Sequence, residues 1–260
     1  MKRVGAEVTA ADRWQSIGES YAQNIEGAYH RHRLEVIAAL TPPMTGKRVA
    51  DFGCGEGILI RKAIGEGAAR VVGIDLDKSL LAMAASSGAD RLLLGSVERL
   101  TEIEAADILI AANVAAYFTR DEDAAFYAHA KRVLGTGGHL VITHSNELFD
   151  AFTLNAFTVA FYQRHFGCDP SSLLTHPDKP ARNTFNIREN PLAYPEKLRS
   201  FGFEVEQIEY MNLHSKPPLL SNDDPDDMQR DRPDTLSISP SERWKLNFKC
   251  SMFGVRARAI

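Results

Sequence analysis

Three glycines at alternate positions, Gly53, Gly55 and Gly57, follow an apolar run that ends in Asp51 and Phe52. Glycine lets backbone turn sharply and lie against a ligand with no Cβ in between, and a helix starting just beyond offers unpaired N–H groups. Two ligand classes compete for such a loop. The dinucleotide fingerprint reads G-x-G-x-x-G and sets a helix N-terminus against a pyrophosphate. Here the reading is Gly53-x-Gly55-x-Gly57 with the Asp51 carboxylate just upstream, which repels a pyrophosphate and suits an ammonium group. A second acid, Asp75, ends the next apolar run at the spacing where a carboxylate accepts hydrogen bonds from ribose hydroxyls.

A ligand that asks for an ammonium partner, a ribose acceptor and no phosphate contact is S-adenosylmethionine. Val49 to Gly57 with Asp75 resembles motif I and the following acidic position of class I S-adenosylmethionine-dependent methyltransferases, a likeness that runs from Lys47 to Val141. The resemblance implies cofactor contacts from Asp51, Gly53, Gly55, Gly57, Asp75 and Leu76, from Ser96 and Val97 after the third strand, and from Asn113 and Val114 after the fourth. Ser96 stands where the family carries an acid for the adenine amino group, which leaves a hydroxyl and the Val97 N–H for the adenine edge. Asn113 reads equally as a helix N-cap. In relatives an N-terminal helix often closes over the cofactor, which brings in Tyr21; packing of Tyr21 on the core is the competing reading.

Methyl transfer from a sulfonium is a displacement with an activated leaving group, so alignment supplies much of the catalysis, about 7 to 11 kcal/mol. A base helps where the acceptor must lose a proton. His144, in Thr143-His144-Ser145-Asn146-Glu147 after the fifth strand, is the first candidate base, and His214 after the sixth is the second. A hydrogen-bonded structural histidine is the alternative for His144. Tyr117, Asn146 and Glu147 are expected to bind the acceptor. Aromatic residues at helical spacing (Phe149, Phe152, Phe157, Phe161, Tyr162) and a loose likeness of Cys250 to Val255 to methyltransferases of sugars and secondary metabolites point to a small-molecule acceptor, methylated on oxygen or nitrogen. Two other classes compete: a non-catalytic cofactor-binding partner subunit, favoured by Ser96, and a nicotinamide-dependent oxidoreductase, opposed by Asp51 and the glycine spacing.

Acidic residues outnumber basic ones by 34 to 30, a net charge of -4, which argues against a phosphate-backbone partner. The three cysteines, Cys54, Cys168 and Cys250, are far apart with no C-x-x-C, so neither a disulfide framework nor a zinc ribbon is expected; no metal site is expected either. The first residues carry no apolar targeting segment and no run approaches a membrane span, so a soluble cytoplasmic protein is expected, with a homodimer left open.

Those residues need a parallel sheet to bring them together. Short continuous apolar runs, such as Asp107 to Ala112, read as strands covered on both faces, and they alternate with helical segments over 49–143. The expected architecture is α/β: a Rossmann-like, doubly wound, seven-stranded, mostly parallel sheet with an antiparallel last strand. N-terminal helices occupy 1–41, the cofactor-binding core 47–145, and cap-like insertions 148–190 and 215–241, all in one domain. Ligands in such sheets lie outside the carboxyl ends of the strands, which is where Gly53, Asp75, Ser96, Asn113 and His144 fall.

Overall fold

The computed structural model describes residues 14, 28–151, 159–160, 163–164, 187–213 and 235–260. Tyr21, His214, the first of the N-terminal helices and most of both expected insertions lie outside these residues. Seven strands form one sheet: β1 (Arg48–Phe52), β2 (Arg70–Asp75), β3 (Arg91–Leu94), β4 (Ile108–Ala111), β5 (His139–Ser145), β6 (Phe203–Leu213) and β7 (Cys250–Ala259). Their order is β3-β2-β1-β4-β5-β7-β6, and β7 runs antiparallel between β5 and β6. The doubly wound sheet with its reversed last strand is as expected.

Among the described residues six α-helices accompany it: α1 (Ala28–Leu40), α2 (Ile58–Gly65), α3 (Lys78–Ala84), α4 (Arg120–Leu134), α5 (Tyr194–Ser200) and α6 (Leu246–Lys249). Successive strand residues point to opposite faces, so each continuous apolar run feeds two cores. On one face Ala50, Phe52, Ile74, Leu109, Leu140 and Ile142 pack against Phe126 and Tyr127 of α4 and Tyr194 and Leu198 of α5. On the other, Val49, Val71, Ile108, Ile110 and Val141 pack against Val36, Ile37 and Leu40 of α1 and Ile60 and Ala63 of α2.

Capping residues fix where α3 and α4 start, Asp77 accepting from Ser79 N–H on α3. Thr119 and Glu122 close a capping box on α4, with Glu122 N–H donating to Thr119 Oγ1 (3.2 Å) and Thr119 N–H to Glu122 Oε2 (2.7 Å). Asp121, Glu122 and Asp123 in its first turn and Lys131 and Arg132 in its last suit the helix dipole. Helix α5 starts only at Tyr194, because Leu192 N–H donates to Asn190 Oδ1 (3.0 Å) and Ala193 N–H to Asn190 O (3.0 Å), making a turn first. The last strand starts at Cys250 and continues to Ala259, since Leu246–Lys249 is a helical turn. Among the described residues no helix is long and apolar enough to cross a membrane.

Candidate cofactor site

A crevice of about 620 Å³, open to solvent, lies at the carboxyl ends of β1, β2, β3 and β4. Its walls include Gly53, Gly55, Asp75, Leu76, Ser96, Asn113, Val114 and Tyr117 from the sequence-derived set. Sequence reasoning did not assign Trp14, Phe52, Leu80, Gly95, Ala112 or Phe118, which also line it. Asp51 and Gly57 stand behind that wall, and the Val97 side chain is packed into the core.

The glycine loop has the conformation its composition asks for. Gly53, Gly55 and Gly57 have φ of 74°, 53° and 83°, in the left-handed region. At Gly53 a Cβ would come within 2.0 Å of Val114 Cγ1, so the loop lies flat against the β4 exit only because no side chain is there. Gly53 and Cys54 N–H groups both donate to Ile74 O (2.8 and 3.0 Å), which ties the loop to β2. Asp75 then bridges the walls: Oδ2 accepts from Gly55 N–H (2.7 Å) and Oδ1 from Asp77 N–H (2.9 Å). Burial raises the Asp75 carboxyl above the ordinary aspartate range, and those two N–H groups work against the rise.

Asp51 behaves differently. It is 2% exposed, and neither carboxylate oxygen has a hydrogen-bond partner. Burial, with the charge of Asp75 added, pushes its pKa up to about 7. A buried carboxylate without a partner is costly unless a cation arrives. The residues therefore fit an amine-bearing, ribose-bearing ligand: an unmatched acid, a second acid one strand away, and backbone free of side chains between them.

Two further features shape the walls. Trp14 donates its indole N–H to Asp77 Oδ2 (2.8 Å) and meets Tyr117 edge to face at 6.1 Å, so it spans from the start of α3 to the turn after β4. No local signal marks Trp14, because both partners are distant in sequence. Asn113 is left-handed at φ 61°, and its N–H donates to Thr143 Oγ1 of β5 at 2.7 Å.

Three sequence-derived assignments are corrected. His144 does not reach the crevice: it is 0% exposed, with Nε2 bonded to Tyr194 Oη (2.7 Å) and its ring edge-on to Tyr194. Burial, helped by the charge of Lys197, holds its pKa well below the usual histidine value, so it stays neutral. The strand alternation explains the miss: Leu140 and Ile142 point under α4 and α5, and a residue two further on points there too. Asn146 is also fully buried, donating through Nδ2 to Asn247 O and Cys250 O (both 2.7 Å) and accepting from Leu148 N–H (2.9 Å). It clamps strand ends. Glu147 is buried and ion-paired to Arg164. Neither lines the crevice. Among the described residues no group of three His, Cys, Asp or Glu is placed to hold a metal ion.

The methyltransferase domain family matches residues 50–142. A ribosomal protein L11 methyltransferase of Aliivibrio salmonicida is 36% identical over 127 residues, 44% of this chain and 42% of that protein. Another, of Pseudoalteromonas atlantica, is 39% identical over 106 residues, 38% of this chain and 34% of that protein. The chain thus spans less than half the length of these curated relatives. An S-adenosylmethionine-dependent methyltransferase of Mesorhizobium loti superposes with a TM-score of 0.57 at 20% identity, covering 87% of this chain and 97% of that one. The N-methyltransferase NodS of Bradyrhizobium japonicum, solved with S-adenosylhomocysteine, gives 0.56 at 12% identity, covering 95% and 98%. The expectation of a small-molecule acceptor is corrected by the curated relatives, which are named for a ribosomal protein. Residues 50–142 thus match the methyltransferase domain family, and the sheet shares its fold with S-adenosylmethionine-dependent methyltransferases.

Proposed function

We propose that this protein transfers a methyl group from S-adenosylmethionine to a protein acceptor. The observation that carries the first half is Asp51, a buried carboxylate with no partner behind a glycine loop that Asp75 holds in place. When bound, the cofactor supplies a methyl group already activated on a sulfonium. Asp51 would match its ammonium group, Asp75 its ribose hydroxyls, and Gly95 and Ser96 would border its base. Phe52, Val114, Tyr117, Phe118 and Trp14 make the remaining wall largely apolar, which excludes water from the reacting face. Apart from Asp75 and Tyr117 no described residue lining the crevice titrates, so these residues act by alignment rather than as a conspicuous base.

The acceptor half follows the names of the curated relatives, which share the cofactor-binding part of the chain with it. Incubation with methyl-tritiated S-adenosylmethionine and either ribosomal protein or a metabolite extract separates the possibilities. Label retained on polypeptide after gel filtration is expected. Label confined to metabolites would remove the protein acceptor and leave the transferase reading standing. A protein that fails to bind S-adenosylhomocysteine by calorimetry would remove both.

A further inference from the structure

We infer that Thr143 is a positioning residue of the cofactor site, its hydroxyl holding the chain in the left-handed turn at Asn113 that forms the β4 wall of the crevice. This rests on the cofactor reading above and adds to it a residue outside the crevice lining.

The strand pairing shows why the hydroxyl is needed. The β4–β5 ladder ends at the pair Ala111 and Ile142, and beyond it β4 leaves the sheet. The next amides have lost their ladder acceptors, and an unpaired N–H at this depth is costly. Thr143, one step beyond the last pair and 1% exposed, supplies the substitute: Oγ1 accepts from Asn113 N–H at 2.7 Å. The same hydroxyl donates to Asn113 Oδ1 at 3.3 Å, so it fixes the amide as well as the backbone. Asn113 has φ 61°, one of two non-glycine residues in that region among those described. Such a conformation persists where the surroundings over-determine it, and it clusters at binding sites.

The turn has a direct consequence for the crevice. Ala112, Asn113 and Val114 all line it, and Val114 lies so close to Gly53 that a Cβ there would sit 2.0 Å from Cγ1. Relaxation of Asn113 to an extended or right-handed conformation would swing Val114 off the glycine loop and reshape the pocket from both sides. Thr143 thus acts on the ligand through two residues it does not share a wall with.

The test compares three variants by calorimetric titration with S-adenosylhomocysteine, with melting temperature recorded on each preparation. Thr143→Val keeps the shape and removes the hydroxyl, and affinity is expected to fall by about tenfold or more, as for a buried polar group left unpaired. Thr143→Ser keeps the hydroxyl and is expected to retain most of the affinity. Adding Asn113→Gly to Thr143→Val is expected to recover much of the loss, because glycine adopts the left-handed turn without a clamp. The double variant also keeps the test alive if Thr143→Val alone does not fold. Wild-type affinity in Thr143→Val, equal losses in Thr143→Ser and Thr143→Val, or no recovery with glycine would each overturn the inference while leaving the cofactor reading intact. A wild-type protein that binds no S-adenosylhomocysteine would overturn the cofactor reading itself, and this inference with it.

Discussion

Asp51 is an acid that the fold leaves unmatched, and its titration is where function and stability meet. Its folded pKa is about 7 against an ordinary 3.8, so between those values the folded state binds more protons than the unfolded one. Stability of the ligand-free protein therefore falls as pH rises through that window, by on the order of 4 kcal/mol. Asp51→Asn removes the charge at nearly constant volume, and it should melt several degrees above wild type at pH 8 and close to it at pH 4. An ammonium ligand reverses the preference, because it favours the ionised carboxylate. Affinity for S-adenosylhomocysteine should then rise from pH 6 to pH 8 with release of a proton, a dependence Asp51→Asn should lose along with much of its affinity. Wild-type calorimetry giving the same affinity at both pH values would sink this account. The spacing of Asp51 from Gly53 was enough to single it out in the sequence; its solitude was not, because that depends on what the rest of the core withholds.

The strands show which parts of a site a sequence can place. β1, β2 and β4 are buried on both faces, so their apolar runs and abrupt ends at Asp51-Phe52, Asp75 and Ala111 locate the crevice from residue order alone. Which side of a strand end faces the ligand is a finer matter. On β5 alternation separates two neighbours: His144 follows Leu140 and Ile142 under α5, while Thr143 meets Asn113 at the crevice wall. Chemical reactivity made His144 the more attractive residue, and the period of two places it in the core. Trp14 was illegible for another reason, since its partners Asp77 and Tyr117 come from separate strand exits. His144→Phe follows from the corrected placement. Because burial depresses the histidine pKa, its neutral form contributes stability that is present above about pH 6.5 and is lost as pH falls below it. The variant should lose about 1 to 3 kcal/mol at pH 8, through loss of the buried His144–Tyr194 hydrogen bond, which leaves the Tyr194 hydroxyl only its Tyr127 partner, and decline less steeply in acid. Turnover per folded molecule should hold. Lost turnover at an unchanged melting temperature would restore His144 to the mechanism.

Beyond the cofactor half, the chain is drawn together at Lys197, whose ammonium joins elements far apart in sequence. Nζ donates to Asp123 Oδ2 of α4 (2.6 Å) and to Glu189, and it lies 5.1 Å from the centre of the Tyr127 ring. Glu189 belongs to a segment laid across the end of β5: Glu189 N–H donates to Ser145 O (3.0 Å), and Ile187 N–H to Ala116 O (3.1 Å) beside the crevice wall. One cation thus fastens α5, α4 and this crossing segment, and its two acids outnumber it. Burial raises both the Asp123 and Glu189 carboxyls, against the pull of Lys197. For Lys197 itself burial pulls the pKa down, and the two carboxylates outweigh it. Lys197→Met would strand both acids, at a cost of roughly 2 to 4 kcal/mol at pH 8, reduced from the fully buried case by the 27% exposure of the lysine side chain. The sign of the pH dependence is set by the acids. With their cation gone their folded pKa values rise further, so the folded variant takes up protons as pH falls and regains stability on the way to pH 5. Removing the lysine charge also lets His144 protonate more readily, which softens the acid-side loss in the variant and narrows the gap in the same direction. Melting curves of wild type and Lys197→Met should therefore differ most at pH 8 and converge toward pH 5, and Lys197→Met/Asp123→Asn should recover part of the difference at pH 8. A gap of constant size across that range, untouched by Asp123→Asn, would mean that the lysine is held there by packing of its methylenes on Tyr127 and Tyr194 and that its charge fastens nothing.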